Sequence, residues 1–196
     1  MSGVKRVLEK TETLERVDRP ASALQRWWRR VFPDGRPLVR HLSGESAGHP
    51  LHPALVLAPA GAWISASVLD AIPGQQRAAQ AMVLTGLLTA MPAAAAGAVD
   101  FRNLDQQQRR VGFVHFLANA TGIVCYLASY RHRTRGSHLA GQVWGLLGLS
   151  AVGAGGALGG HLSYALGAGA YRFRPELAEA AAEAAPKAER VTAATG

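Results

Sequence analysis

The stretch Gly48-His49-Pro50-Leu51-His52-Pro53 runs directly into the apolar segment Ala54–Ile72. A charged leader stops at this junction and a membrane-length segment starts, so its reading decides the fold. Pro53 to Ile72 gives 20 residues with Asp70 near the far end, and about 20 apolar residues in a helix cross a hydrocarbon core of about 30 Å. Pro53 suits the first helical position and pushes the residue before it out of helical geometry, so His52 is expected as the N-cap. Two histidines therefore stand at the mouth of the first span.

Three more apolar segments follow. Ala78–Val99 has 22 residues, no charge and an internal Pro92; Val111–Tyr130 has 20, with His115 and Asn119 one turn apart; the uncharged Leu139–Ala170 has 32. As one helix the last would measure ~48 Å at about 1.5 Å per residue, so one end must overhang or bend. Spans are expected at about 53–72, 78–99, 111–130 and 140–166. Backbone in lipid has to satisfy its own hydrogen bonds, which excludes open strands. Short connections at Pro73–Arg77, Asp100–Arg110 and Arg131–His138 force neighbours to run antiparallel. The predicted fold class is all-α, an integral membrane four-helix bundle running up-down-up-down. Gly141-xxx-Gly145 and the overlapping Gly155-xxx-Gly159 and Gly156-xxx-Gly160 offer close helix approach in the fourth span.

Composition agrees with this reading. Only 17% of the 196 residues are charged, and between Pro53 and Ala170 the acidic ones are Asp70, Asp100 and Asp105 alone. The net charge of +8 lies beside hydrophobic spans, which favours anionic lipid headgroups over nucleic acid as the partner. The single cysteine, Cys125, excludes an intrachain disulfide and a paired-thiol metal motif, and reads as a buried hydrophobe. The first long apolar run begins past residue 50, too late for a cleaved secretory leader.

Residues 1–48 form a basic leader with ten Lys or Arg against six Asp or Glu. In it Leu24, Trp27, Trp28, Val31 and Phe32 share one helix face, with Arg26, Arg29 and Arg30 off that face, Pro20 in the first turn and Pro33 as the stop. Such a helix suits the headgroup layer; a partner protein would read the same pattern. The leader, the second loop and the tail carry 10, 3 and 4 basic residues, against 1 and 3 in the first and third loops. That asymmetry puts both termini in the cytoplasm of a bacterial plasma (inner) membrane. Residues 171–196, rich in Ala and Glu, are expected to be a polar tail without a core.

Under this topology His49, His52, Asp100, His115 and His161 fall at similar depth on the leader side. Ionisable groups in spans are costly and usually face a bundle interior or a functional path. Three chemistries suit the set. Facing histidines can hold b-type haem for electron transfer, with interfacial arginines on the propionates and a redox protein as partner; His115 and His161 are then the first axial candidates, His52 the substitute and His49 the outermost. The five residues together can bind a transition metal. In the third, the imidazoles only cap helix ends and bond Asp100 and Asn119, as in a non-catalytic scaffold or accessory subunit. Asp70 is expected to be solvated or paired with Arg77, and no base-and-orienter signature accompanies Ser150 or Ser163. No reaction is assigned.

The His-Pro-Leu-His-Pro entrance, Gly97-Ala98-Val99-Asp100, His115-xxx-Asn119 and Gly159-Gly160-His161-Leu162-Ser163-Tyr164 together resemble the bacterial membrane-protein family called domain of unknown function 2231. The resemblance covers roughly Gly48–Gly169 and implies a four-span integral membrane protein. Relatives joined to a Rieske-type iron–sulfur domain hint at redox company; the single cysteine here ligates no such cluster.

Overall fold

The computed structural model describes residues 3–169, and the tail expected at 171–196 lies outside them. The leader folds as three helices, α1 (Gly3–Glu12), α2 (Asp18–Val31) and α3 (Pro37–Ser43). Helix α2 carries the expected aromatic stripe between Pro20 and Pro33. It docks through its polar side: Ala21 and Gln25 are buried, while Trp27 and Val31 stay exposed. The Gln25 amide donates to the carbonyls of Phe101 and Leu104, and Arg29 donates to the carbonyl of Arg102. The leader thus answers carbonyls left open where the second span ends.

Four helices long and apolar enough to cross a membrane follow, at His52–Asp70, Gln76–Phe101, Gln106–Thr134 and His138–Ala165, as the all-α four-span expectation requires. The first is interrupted into α4 (His52–Leu55) and α5 (Leu57–Asp70). The others are α6 (Gln76–Phe101), α7 (Gln106–Thr134) and α8 (His138–Gly160), which passes into a π turn at His161–Ala165. That turn ends the over-long fourth segment. The N-cap differs from expectation by one position. Leu51 caps α4, His52 is its first helical residue, and the His52 ring is occupied by a neighbouring helix.

The second and third connections are shorter than the apolar pattern suggested, because polar residues extend the helices past the apolar segments. The second loop contracts to residues 102–105, where Asp105 builds a capping box: its carboxylate accepts from Gln108 N–H and the Gln108 side chain accepts from Asp105 N–H. Gly74 (φ 83°) and Gly136 (φ 78°) turn the chain where α5 and α7 stop. Helix α5 packs on α6 and α8, and α7 packs on α6 and α8. The first and third spans therefore lie diagonally across the bundle, and the core between them centres on Trp63, Ala66, Val83, Ala90 and Tyr126.

Candidate functional site: three side-chain pairs across the bundle

The first and third spans meet through three pairs of large side chains. At the leader end the rings of His52 and His115 stand edge to face, 6.2 Å between centroids. Mid-span, Trp63 stacks on Tyr126 at 4.1 Å with planes 7° apart. At the far end Arg133 grips Asp70 with two hydrogen bonds of 2.7 and 2.6 Å. Each pair joins residues 63 positions apart. Along either helix the three residues follow the same spacing, His-x10-aromatic-x6-charge, so at 1.5 Å per residue the layers lie ~16 Å and then ~10 Å apart.

The second and fourth spans repeat the arrangement as receiving surfaces. His52 Nδ1–H donates to the Ala93 carbonyl at 2.8 Å, and His115 Nδ1–H to the Gly155 carbonyl at 2.7 Å. A glycine lies under each large ring: Gly97 against His52, Gly159 against His115, Gly86 against Trp63 and Gly148 against Tyr126. A Cβ at Gly97 or Gly159 would come within 2.9 Å of an imidazole carbon. Ala93 and Gly155, Gly86 and Gly148, and Gly97 and Gly159 are each 62 positions apart. The two helical hairpins thus present matched side chains to each other about an approximate two-fold.

Of the histidines expected to gather, the structure brings together His52 and His115. Asn119 joins them: its amide donates to the His115 backbone carbonyl at 2.9 Å and sits 3.3 Å from both ring nitrogens. His161 turns to the leader, where its Nε2 meets the Glu12 carboxylate at 2.6 Å. His49 is exposed, with its Nδ1 3.2 Å from the adjacent Pro50 carbonyl. Among the described residues no group of three or more His, Cys, Asp or Glu side chains is placed to hold a metal ion, so the five-residue set does not form. Rise per residue gives depth in the membrane and says nothing about which way around the helix a side chain points.

Asp70 pairs with Arg133 rather than Arg77, and both partners are largely withdrawn from solvent. Arg133 receives further support from Ser129, whose hydroxyl accepts from Nε at 3.2 Å and donates to the Gly141 carbonyl at 2.6 Å. The Tyr126 hydroxyl is buried with no hydrogen-bond partner among the described residues. The leader adds a second anchor: Asp18 takes two 2.7 Å hydrogen bonds from Arg110, which hold its carboxyl down to about 2 from an ordinary 3.8. Glu12 also accepts from the Gln107 amide. Sequence reading missed the hairpin repeat, although its signal is present in the matched spacings His52…Trp63…Asp70 and His115…Tyr126…Arg133.

These features define a class, the four-span helical membrane bundle with a docked leader. The chain belongs to a family of predicted membrane proteins: residues 48–172 match the family model described as "Predicted membrane protein (DUF2231)", in agreement with the resemblance read from the motifs. The match takes in all four spans and the three pairs, and leaves α1–α3 outside. No curated protein and no solved structure matches the chain.

Proposed function

We propose that this membrane protein binds b-type haem between His52 and His115 and acts in electron transfer with a redox partner protein at the leader side. The observation that carries the proposal is the His52–His115 pair. With each Nδ1–H committed to a backbone carbonyl, a neutral imidazole keeps its lone pair at Nε2, and the same bond orients the ring. The two rings stand 6.2 Å apart between centroids, so a haem bound there would be held by imidazoles from both the first and the third span. Gly97 and Gly159, lacking Cβ atoms, let the two rings lie directly against the second and fourth spans. When bound, haem would supply a one-electron couple. His52 and His115 would hold the haem, while the Ala93 and Gly155 carbonyls keep the two rings in orientation and Asn119 braces His115.

The excess of basic residues on the leader side supports a cytoplasmic location for that face in a bacterial plasma membrane. A reporter placed at Gly136 should then behave as external. The exposed Trp27 and Val31, beside Arg26 and Arg30, suit contact with anionic headgroups.

One observation favours a second reading. Both Nδ1–H groups are already satisfied across helix interfaces, which is what a non-catalytic scaffold or accessory subunit needs from them. Absorption spectra of the purified protein, oxidised and reduced, separate the two. A Soret band that shifts on reduction, is lost in His52→Ala and His115→Ala and survives in His161→Ala supports the haem reading. A colourless protein from haem-supplemented cells rejects it and leaves the scaffold.

A further inference from the structure

Where the second span ends, the chain buries a cation that its own side chains do not satisfy. Arg102 is the residue after α6 and is 2% exposed. Its Nη2 donates to Asp34, but Nε and Nη1 are buried without a hydrogen-bond partner among the described residues. A buried charged donor left unanswered is costly, and native structures rarely keep one without a reason. The guanidinium lies against a cavity of about 390 Å³ between α3 and the end of α6, lined by Asp34, Arg40, Ser43, Glu45, Arg102 and Asn103. Arg40 and Glu45 are bonded to each other at 3.2 Å across it.

Asp34 is the unusual member. Its side chain is 91% exposed, it precedes the turn at Gly35 (φ 81°), and it brings a single oxygen to a guanidinium that has three nitrogens to satisfy. An outlying carboxylate on a turn, set against a buried arginine, occupies the place of an oxyanion. A tetrahedral phosphate on one edge of the guanidinium can bring two oxygens, meeting Nη2 together with Nε or Nη1, and reach Arg40 with another. Phe101 is the last residue of the span and Val99 forms part of the cavity wall, so the cavity opens at the depth of the headgroup layer. We propose that this cavity is a phosphate-group site in which Arg102 is the principal ligand and Asp34 an internal competitor that the phosphate displaces. It is independent of the histidine pair, which lies inside the bundle.

The competitor sets the sign of the test. The full chain in a neutral detergent is titrated separately with inorganic phosphate and with short-chain phosphatidylglycerol, at ionic strength matched with sodium chloride, following the shift in thermal midpoint. Saturable binding is expected in the wild type, roughly tenfold tighter in Asp34→Asn and absent in Arg102→Gln. Saturation by the lipid alone identifies a headgroup site; saturation by both identifies a site for the phosphate group from either source. Weaker binding in Asp34→Asn, or midpoints in wild type and Asp34→Asn that follow ionic strength alone, overturns the proposal. Should Arg102→Gln fail to fold, the tightening in Asp34→Asn still decides.

Discussion

The two hairpins repeat one design with different materials. The first offers alanine where the second offers serine or glycine: Ala66 against Ser129, Ala79 against Gly141, Ala93 against Gly155. The reason lies in the residue each hairpin brings to the far end. Arg133 is long, forked and cationic; it needs the space at Gly141 and Gly145 and the hydroxyl of Ser129 to lie buried. Asp70 is short and finds its hydrogen bonds on Arg133 itself, so Ala66 suffices beside it. The lesson is that the repeat is not interchangeable. Opposite charges at matched positions favour pairing of unlike hairpins, since two copies of either would set like charges together.

The largest effect should come from breaking the pair that carries this asymmetry. Arg133→Ala leaves Asp70 in the bundle without its partner, and removing one member of a buried ion pair costs about 3–5 kcal/mol. The reciprocal exchange, Asp70→Arg with Arg133→Asp, restores the charges but puts the guanidinium in the hairpin that lacks the glycine cleft and the serine. Thermal unfolding in detergent should find the exchange well below wild type, and wild-type stability in the exchange would show the hairpins to be equivalent after all.

Next come the glycines beneath the mid-span rings. Gly86→Ala drives a methyl into Trp63, and Gly148→Ala places one within 2.9 Å of Tyr126. Overpacking of this kind costs about 1–3 kcal/mol. Gly153→Ala and Gly156→Ala meet nothing within 4 Å and should be neutral or slightly stabilising through helix propensity. Equal midpoints for all four variants would refute the packing assigned to the glycine-lined faces.

A smaller difference separates the stacked aromatics. The Trp63 indole N–H reaches the Val83 carbonyl at 3.4 Å, whereas the Tyr126 hydroxyl has no partner among the described residues. Tyr126→Phe keeps the stack and removes the orphaned group, so stability should hold or rise by up to about 1 kcal/mol. A clear loss in the same melt would reveal a partner for that hydroxyl.

The smallest expected effect lies outside both hairpins. Because Arg110 holds the Asp18 carboxyl at about 2 in the folded chain against 3.8 ordinarily, its contribution is full above about pH 4 and fades as pH falls toward 2. Both groups are solvent-reached, so screening makes the effect modest. Release of the leader in acid, followed by tryptophan fluorescence, should begin at higher pH in Arg110→Gln than in wild type; an unchanged profile would detach Asp18 from leader docking.

Sequence by itself determined the number of spans and their order, because lipid demands runs of about 20 apolar residues and short loops permit only antiparallel neighbours. It also marked His115 and His161, each within an apolar run, and His52 and His49 at the entrance as candidates, since an imidazole in or beside such a run is conspicuous. What it left open was azimuth. The overlapping motifs Gly155-xxx-Gly159 and Gly156-xxx-Gly160 are equal on paper, yet Gly155 and Gly159 lie under Asn119 and His115 while a Cβ at Gly156 or Gly160 meets nothing. His161 has a suitable depth and faces Glu12 instead of His115, and Asp70 passes over the nearer Arg77 for a residue 63 positions away. Only tertiary structure decided these, because the rotation of each helix is set by how four surfaces pack at once, and no single segment carries that information.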